Sequence, residues 1–220
     1  MAISTVVFDV NETLSDLRPL ARRFAALGAP EWLGDLWFAS TLREGVALAA
    51  GGELRTFAEI GTATAADLLH RHGVPDPDDG ARQVLEAFTA LPLHPDVGPG
   101  VATLQAAWLR LVTLSNGATT VAGRLLGDHG LRDAFDLVLS VEDAGVWKPA
   151  PAAYGYALRR CGIDPSEAVM VAVHPWDLHG AARAGMATAW VDRSGGTYPA
   201  HLTAPTFTVA ALPDLAARLA

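Results

Sequence analysis

The run Thr5-Val-Val-Phe8, followed at once by Asp9, constrains the fold more than any other stretch of the chain. It is β-branched and aromatic and carries no charge, which fits a strand buried on both faces of a parallel sheet. In open α/β sheets ligands bind beyond the carboxyl ends of the strands, so Asp9 stands where chemistry is usually done. An aspartate after a strand also caps turns and helices. From this stretch alone the two readings stand level.

From residue 101 onward helix and strand alternate strictly, the signature of a doubly wound sheet. The spacing predicts a helix over 101–108, a strand over 109–114, a helix over 119–127 and a strand over 137–140. A loop then leads to Lys148-Pro149 and a helix over 151–160. A strand over 168–173 passes through His174-Pro-Trp-Asp177 into a helix ending at Gly185. Strands over 188–191 and 207–209 and a helix from Pro213 complete the chain. Residues 15–90 instead show helical periodicity throughout. Leu17, Leu20, Phe24 and Leu27 mark one helix, Trp32, Leu36, Trp37, Leu42 and Val46 a second. Phe57, Ile60, Leu68 and Leu69 mark a third and Val84, Leu85 and Phe88 a fourth. The stretch 91–100, with three prolines and two glycines, reads as the return hinge. The expected class is therefore α/β: a doubly wound, mostly parallel, Rossmann-like core sheet from residues 1–14 and 93–220, with a helical cap inserted at 15–92. An insertion placed just after the strand bearing Asp9 is expected to hang a lid over that carboxylate.

The chain has 220 residues, half of them hydrophobic, enough for a large core. Its formal charge of -8 argues against nucleic acid or an anionic membrane surface as a partner. No apolar run approaches the ~20 residues of a membrane span, and the first strand begins too early to leave room for a signal peptide. Cys161, the sole cysteine, rules out an internal disulfide and a cysteine zinc cluster and fits a reducing cytoplasm.

Four predicted strand ends carry chemistry: Asp9, Ser115-Asn116, Lys148 and Asp177. A carboxylate nucleophile must stay ionised, and a lysine at ion-pair distance lowers its pKa. A hydroxyl and an amide at the next strand end can hydrogen-bond an anionic group of a substrate. Each has an ordinary alternative. Ser115-Asn116-Gly117 is good turn chemistry, Lys148 before Pro149 suits a solvated loop, and Asp177 suits a helix N-cap. Their joint arrival at successive strand ends favours a site. The histidines at 70, 72, 94, 129, 179 and 201 show no partner pattern and read as structural.

With these residues in hand, the chain resembles a family. Phe8-Asp-Val-Asn-Glu-Thr-Leu14, Leu114-Ser-Asn-Gly117, Trp147-Lys-Pro149 and Trp176-Asp177 are similar to the four motifs of the haloacid dehalogenase superfamily, and within it to the L-2-haloacid dehalogenase branch. The resemblance covers essentially the entire chain. It implies that Asp9 displaces halide from the carbon beside a carboxylate, inverting it and leaving an ester that water hydrolyses. Lys148 would orient Asp9 and Thr13 would hydrogen-bond it. Ser115 would hold the substrate carboxylate, Asn116 would face the halide, Tyr154 would lie near the site, and Asp177 would help activate water. Leu42, Phe57 and Trp176 would exclude solvent. The resemblance also implies a homodimer.

Superfamily phosphatases carry an acid two residues after the nucleophile and bind Mg²⁺ through extra carboxylates. Here that position is Asn11, which cannot transfer a proton at useful pH. The fourth motif offers one carboxylate, fewer oxygen ligands than a hard dication wants. A halide leaving group needs neither acid nor metal, so no metal and no cofactor are expected. Three departures stand out: Phe38, after Trp37, replaces the family's halide-binding arginine; His174 replaces an asparagine; Ala172 replaces a serine. Either the halide then falls to Asn116 and indole N–H donors such as Trp37 or Trp176, or the substrate is different. His174 is read as the base that activates water, alone or with Asp177; the rival reading is a histidine hydrogen-bonded beside a helix start. The expected substrate is a small 2-halocarboxylate. A phosphatase-like hydrolase of the superfamily and a non-catalytic homologue are the alternatives.

Overall fold

A computed structural model describes residues 3–219. They form two compact units, one of residues 3–14 and 93–219, the other of residues 15–92.

The first unit is built on a six-stranded sheet in the order β3-β2-β1-β4-β5-β6, all parallel. Its strands are β1 (Thr5–Phe8), β2 (Arg110–Ser115), β3 (Leu137–Ser140), β4 (Ala168–Ala172), β5 (Ala187–Val191) and β6 (Phe207–Val209). The chain winds outward from β1 through β2 to β3, then returns to the other side of β1 for β4. That reversal puts a topological switch point beside β1, where such sheets bind ligands. Every residue of β1 is buried, as the uncharged run requires. The hydrophobic core around it includes Val6, Phe8, Leu104, Leu111, Phe135, Val169 and Val171. Phe8 meets Phe135 edge to face at 5.8 Å between ring centroids.

The helices of this unit are α5 (Val97–Ala106), α6 (Thr119–Asp128), α7 (Val141–Ala144), α8 (Pro151–Cys161), α9 (Pro175–Arg183) and α10 (Ala216–Leu219). Three boundaries differ from the sequence reading. The supposed hinge already contains the start of α5. Pro99 falls in its first turn, where a missing N–H costs no helix bond, and Gly100 packs against Leu212, leaving no room for a Cβ. The predicted loop after β3 holds the short α7, capped by Ser140 Oγ accepting from Glu142 N at 3.0 Å. Strand β4 stops at Ala172 because Val173 N donates to Thr13 Oγ1 at 3.1 Å.

The second unit contains α1 (Pro19–Ala26), α2 (Leu33–Ala50), α3 (Phe57–Arg71) and α4 (Pro77–Thr89). A capping box fixes the start of α3: Glu59 N donates to Thr56 Oγ1 at 3.2 Å, and Thr56 N donates to Glu59 Oε2 at 2.8 Å. Trp37 is the centre of this unit's core. Its ring is fully buried between Phe57 and Phe88, at centroid distances of 6.0 and 5.4 Å, and its indole N–H donates to Gly61 O at 2.8 Å.

One glycine decides how α8 and α9 approach each other. A Cβ on Gly180 would lie 2.5 Å from Tyr154 Oη, 2.7 Å from Pro149 Cβ and 2.8 Å from Pro149 O. The Gly180→Ala variant should lose about 1–3 kcal/mol through overpacking, read as a lower midpoint in urea unfolding. An unchanged midpoint would mean that the Pro149 segment yields without cost.

Candidate active site

The switch point gathers residues from four strand ends. Asp9, one residue past β1, is 4% exposed. Its Oδ1 accepts from Lys148 Nζ at 2.9 Å, and its Oδ2 accepts from Thr13 Oγ1 at 2.7 Å. The Thr13 hydroxyl also takes the Val173 N–H, so its own hydrogen is left to point at Asp9. Lys148 is fully buried, which disposes of the solvated-loop reading. Its ammonium bridges two carboxylates, reaching Asp177 Oδ2 at 2.6 Å. Tyr154 Oη, on α8, donates to Asp177 Oδ1 at 2.6 Å. Asp177 lies in the first turn of α9 but does not cap it; the cap position is His174, whose side chain makes no capping bond.

The second strand end clasps the third. Asn116 Oδ1 accepts from Lys148 N at 3.0 Å, and Asn116 Nδ2 reaches Lys148 O at 3.4 Å. This ties the lysine's backbone to the end of β2 and so aims its side chain. Ser115 Oγ accepts from Gly117 N at 2.9 Å, leaving the hydroxyl hydrogen to give. A Cβ at Gly117 would lie 3.4 Å from Ser115 Oγ and 3.5 Å from Asn11 Nδ2, so both polar groups flank that glycine. Asn11 is buried and makes no hydrogen bond among the described residues. Trp176 is half-buried, its ring 5.1 Å from that of His174.

His174 completes the group. Its Nδ1 lies 3.0 Å from Asp9 Oδ2 and its Nε2 2.9 Å from Glu12 Oε2. Both ring nitrogens therefore face carboxylate oxygens, an arrangement that favours a hydrogen on each. Burial lowers the imidazole pKa, but the bonds to Asp9 and Glu12 outweigh it and push the group up to about 9. In the resting protein this favours the imidazolium, which has no lone pair to offer, so a base at position 174 would first have to lose that proton. Glu12 was missed altogether. It sits at φ +67°, a left-handed conformation costing an ordinary residue about 1–2 kcal/mol, and its bond with His174 helps to offset that. Nothing in the periodicity flags it, because its partner lies 162 residues away.

Burial tends to raise Asp9, yet Lys148 and His174 overcome it and hold the carboxyl well below the usual range. Burial drives Asp177 up, and Lys148 only partly opposes it, so it binds a proton more readily than an ordinary aspartate. Burial works against the Lys148 charge, but Asp177 and Asp9 more than compensate and raise its pKa. Burial, with Asp177 beside it, raises the Tyr154 phenol.

Two further expectations need correction or relocation. Trp37 is no halide donor, since its N–H is spent on Gly61 O. Phe38, Leu42 and Phe57 belong to the helical unit, where Phe38 and Phe57 are buried, their rings 6.1 Å apart, and Leu42 is half-buried.

A profile of the haloacid dehalogenase-like hydrolases matches residues 3–185. The chain belongs to that family. This haloacid dehalogenase-like hydrolase is similar to the (S)-2-haloacid dehalogenase of Xanthobacter autotrophicus, 30% identical over 193 residues that cover 87% of this chain and 76% of the relative. It is also similar to haloacetate dehalogenase H-2 of Moraxella sp. (strain B), 27% identical over 212 residues, 94% of this chain and 93% of the relative. Among solved structures it matches the L-2-haloacid dehalogenase of Xanthobacter autotrophicus with chloropropionic acid covalently bound. There the TM-score is 0.86 and the identity 29%, over 98% of this chain and 97% of that one. Among the described residues of this hydrolase no helix is long and apolar enough to cross a membrane.

The charge on His174 has a thermodynamic signature. Its pKa is raised from 6.5 to about 9 on folding, so the stabilisation is full below pH 6.5 and is lost as pH rises through about 9. The loss should not exceed about 3 kcal/mol. The His174→Asn variant should show a smaller fall in unfolding free energy over that window, read by urea titrations at its two ends. Equal slopes for the two proteins would mean that His174 is neutral in the fold.

Proposed function

We propose that this hydrolase cleaves the carbon–halogen bond of a small 2-haloalkanoic acid through an ester on Asp9, giving the 2-hydroxy acid and halide. The observation that carries the reading is the uneven environment of the Asp9 carboxylate. A carboxylate oxygen has two lone pairs in its plane. On Oδ2 both are taken, by Thr13 and His174; on Oδ1, among the described residues, only Lys148 is bound. Oδ1 therefore keeps a lone pair for displacement at carbon, while Lys148 and His174 keep the group ionised. The covalent chloropropionate in the 29%-identical neighbour supports the same chemistry here.

In this reading Ser115, with its free hydroxyl hydrogen, and Asn11 take the substrate carboxylate. The spare N–H of Asn116 and the Trp176 indole face the departing halide. Phe38 stands where the resemblance implies an arginine, so the halide leaves without a full positive charge at that position. Removal of one preorganised donor typically costs about 3 kcal/mol of transition-state stabilisation, so a slow displacement step is expected. Tyr154 holds Asp177 for the hydrolytic step. A metal-dependent phosphatase is the weaker reading: Asn11 stands two residues after Asp9, where that chemistry wants an acid, and its amide cannot transfer a proton at useful pH.

The test is halide release from 2-chloro- and 2-bromopropionate in the presence of EDTA. Wild type should release halide, and Asp9→Asn should lose at least about 10³-fold in rate while staying folded, since it removes the nucleophile. Release that needs added Mg²⁺, or that survives in Asp9→Asn, would contradict the proposal.

A further inference from the structure

The two oxygens of Asp9 are held so differently that they have separate fates once an ester forms. Alkylation of Oδ1 turns Oδ2 into the carbonyl oxygen of that ester. The groups already bonded to Oδ2 are the Thr13 hydroxyl at 2.7 Å and His174 Nδ1 at 3.0 Å. These are distances at which donors stabilise a developing oxyanion. We propose that His174 Nδ1–H and Thr13 Oγ1–H are the oxyanion-binding pair for hydrolysis of the Asp9 ester, and that Glu12 is the positioning residue that keeps His174 protonated for that task. The inference rests on the ester reading above and concerns its second step.

The chemistry closes as follows. Water attacks Asp9 Cγ, and the carbonyl electron pair moves onto Oδ2, where His174 and Thr13 hold the charge. Collapse restores the carbonyl and breaks the bond between Cγ and Oδ1. Oδ1 departs as the hydroxyl oxygen of the product, and the oxygen of water remains on Asp9. One proton of water passes to the departing alkoxide, with Asp177 the carboxylate suited to carry it. The other goes to solvent as Asp9 returns to its ionised form.

A base at position 174 would require a lone pair on Nδ1 or Nε2. A bare Nδ1 would set its lone pair against those of the ester carbonyl, and Nε2 is engaged by Glu12 at 2.9 Å. The groups facing His174 include Asp9 at the end of β1, Glu12 on the loop after it and the ring of Trp176 on α9. Lys148 lies across Asp9. His94, Asp192 and Arg193 line, with Glu12 and His174, a cavity of about 270 Å³ on the far side. Esterification removes the Asp9 charge from this set and leaves that of Glu12. Glu12 then remains beside the ring at 2.9 Å to favour its proton, and its side chain is 48% exposed and so can be changed without disturbing the core.

Single-turnover quench experiments with 2-bromopropionate, enzyme in excess, separate the steps: halide release reports alkylation and hydroxy acid reports ester decay. Ester decay in wild type should fall as pH rises through the alkaline range, because the donor loses its proton. In Glu12→Gln that fall should move to lower pH, and decay at pH 8 should slow by about tenfold or more while halide release changes less. His174→Ala should slow ester decay by about 10²–10³-fold, the usual effect of losing one oxyanion donor. Ester decay that rises through neutral pH in wild type and loses that rise in His174→Asn would overturn the proposal in favour of a base. A Glu12→Gln profile identical to wild type would remove Glu12 from it. If wild type forms no Asp9 adduct and releases no halide, the ester reading itself falls, a result distinct from either.

Discussion

The structure depends on one buried ammonium. Lys148 Nζ sits between Asp9 and Asp177 with no solvent contact, and its charge offsets the cost of burying two carboxylates at that depth. Three strand ends must reach one point for this to happen. The Asn116 side chain therefore clasps the Lys148 backbone, Thr13 fastens β1 to the end of β4, and Gly180 admits α9 against Pro149 and Tyr154. Each of these contacts is a constraint on the fold that serves the placement of a single charge.

Around that charge the chain has an unusual second pair. His174 and Glu12 add a histidine and an acid beside Asp9, where the family resemblance would give an amide at position 174. The Asp9 carboxylate is left with one oxygen holding two donors and the other holding one. In the proposed reaction the donors that help to keep Asp9 ionised at rest would also face the oxygen that bears charge during ester hydrolysis. Burial makes each of these bonds stronger than it would be in water.

Much of this was legible in the residues. The uncharged run before Asp9 could only be a buried strand, and the later helix–strand alternation fixed the sheet class. Lys148 and Asp177 stood out because two charged residues arrived at successive strand ends. Other features left no local trace. Glu12 looks like any loop glutamate until its distant partner is known. The start of α5 was hidden by Pro99 and Gly100, which read as breakers although one suits a first turn and the other makes room for Leu212. The pairing of His174 left no trace either, because Asp9 and Glu12 flank it only once the chain is folded. Trp37 was read as a donor because a sequence does not say where an indole N–H is spent.

The central claim is that water attacks Asp9, not the substrate carbon. The most direct measurement is a single turnover of 2-bromopropionate in heavy-oxygen water with enzyme in excess, followed by mass analysis of the peptide containing Asp9 and of the hydroxy acid. The account predicts label on Asp9 and none in the product. Label in the product, with an unlabelled Asp9, would mean direct displacement by water and would contradict it.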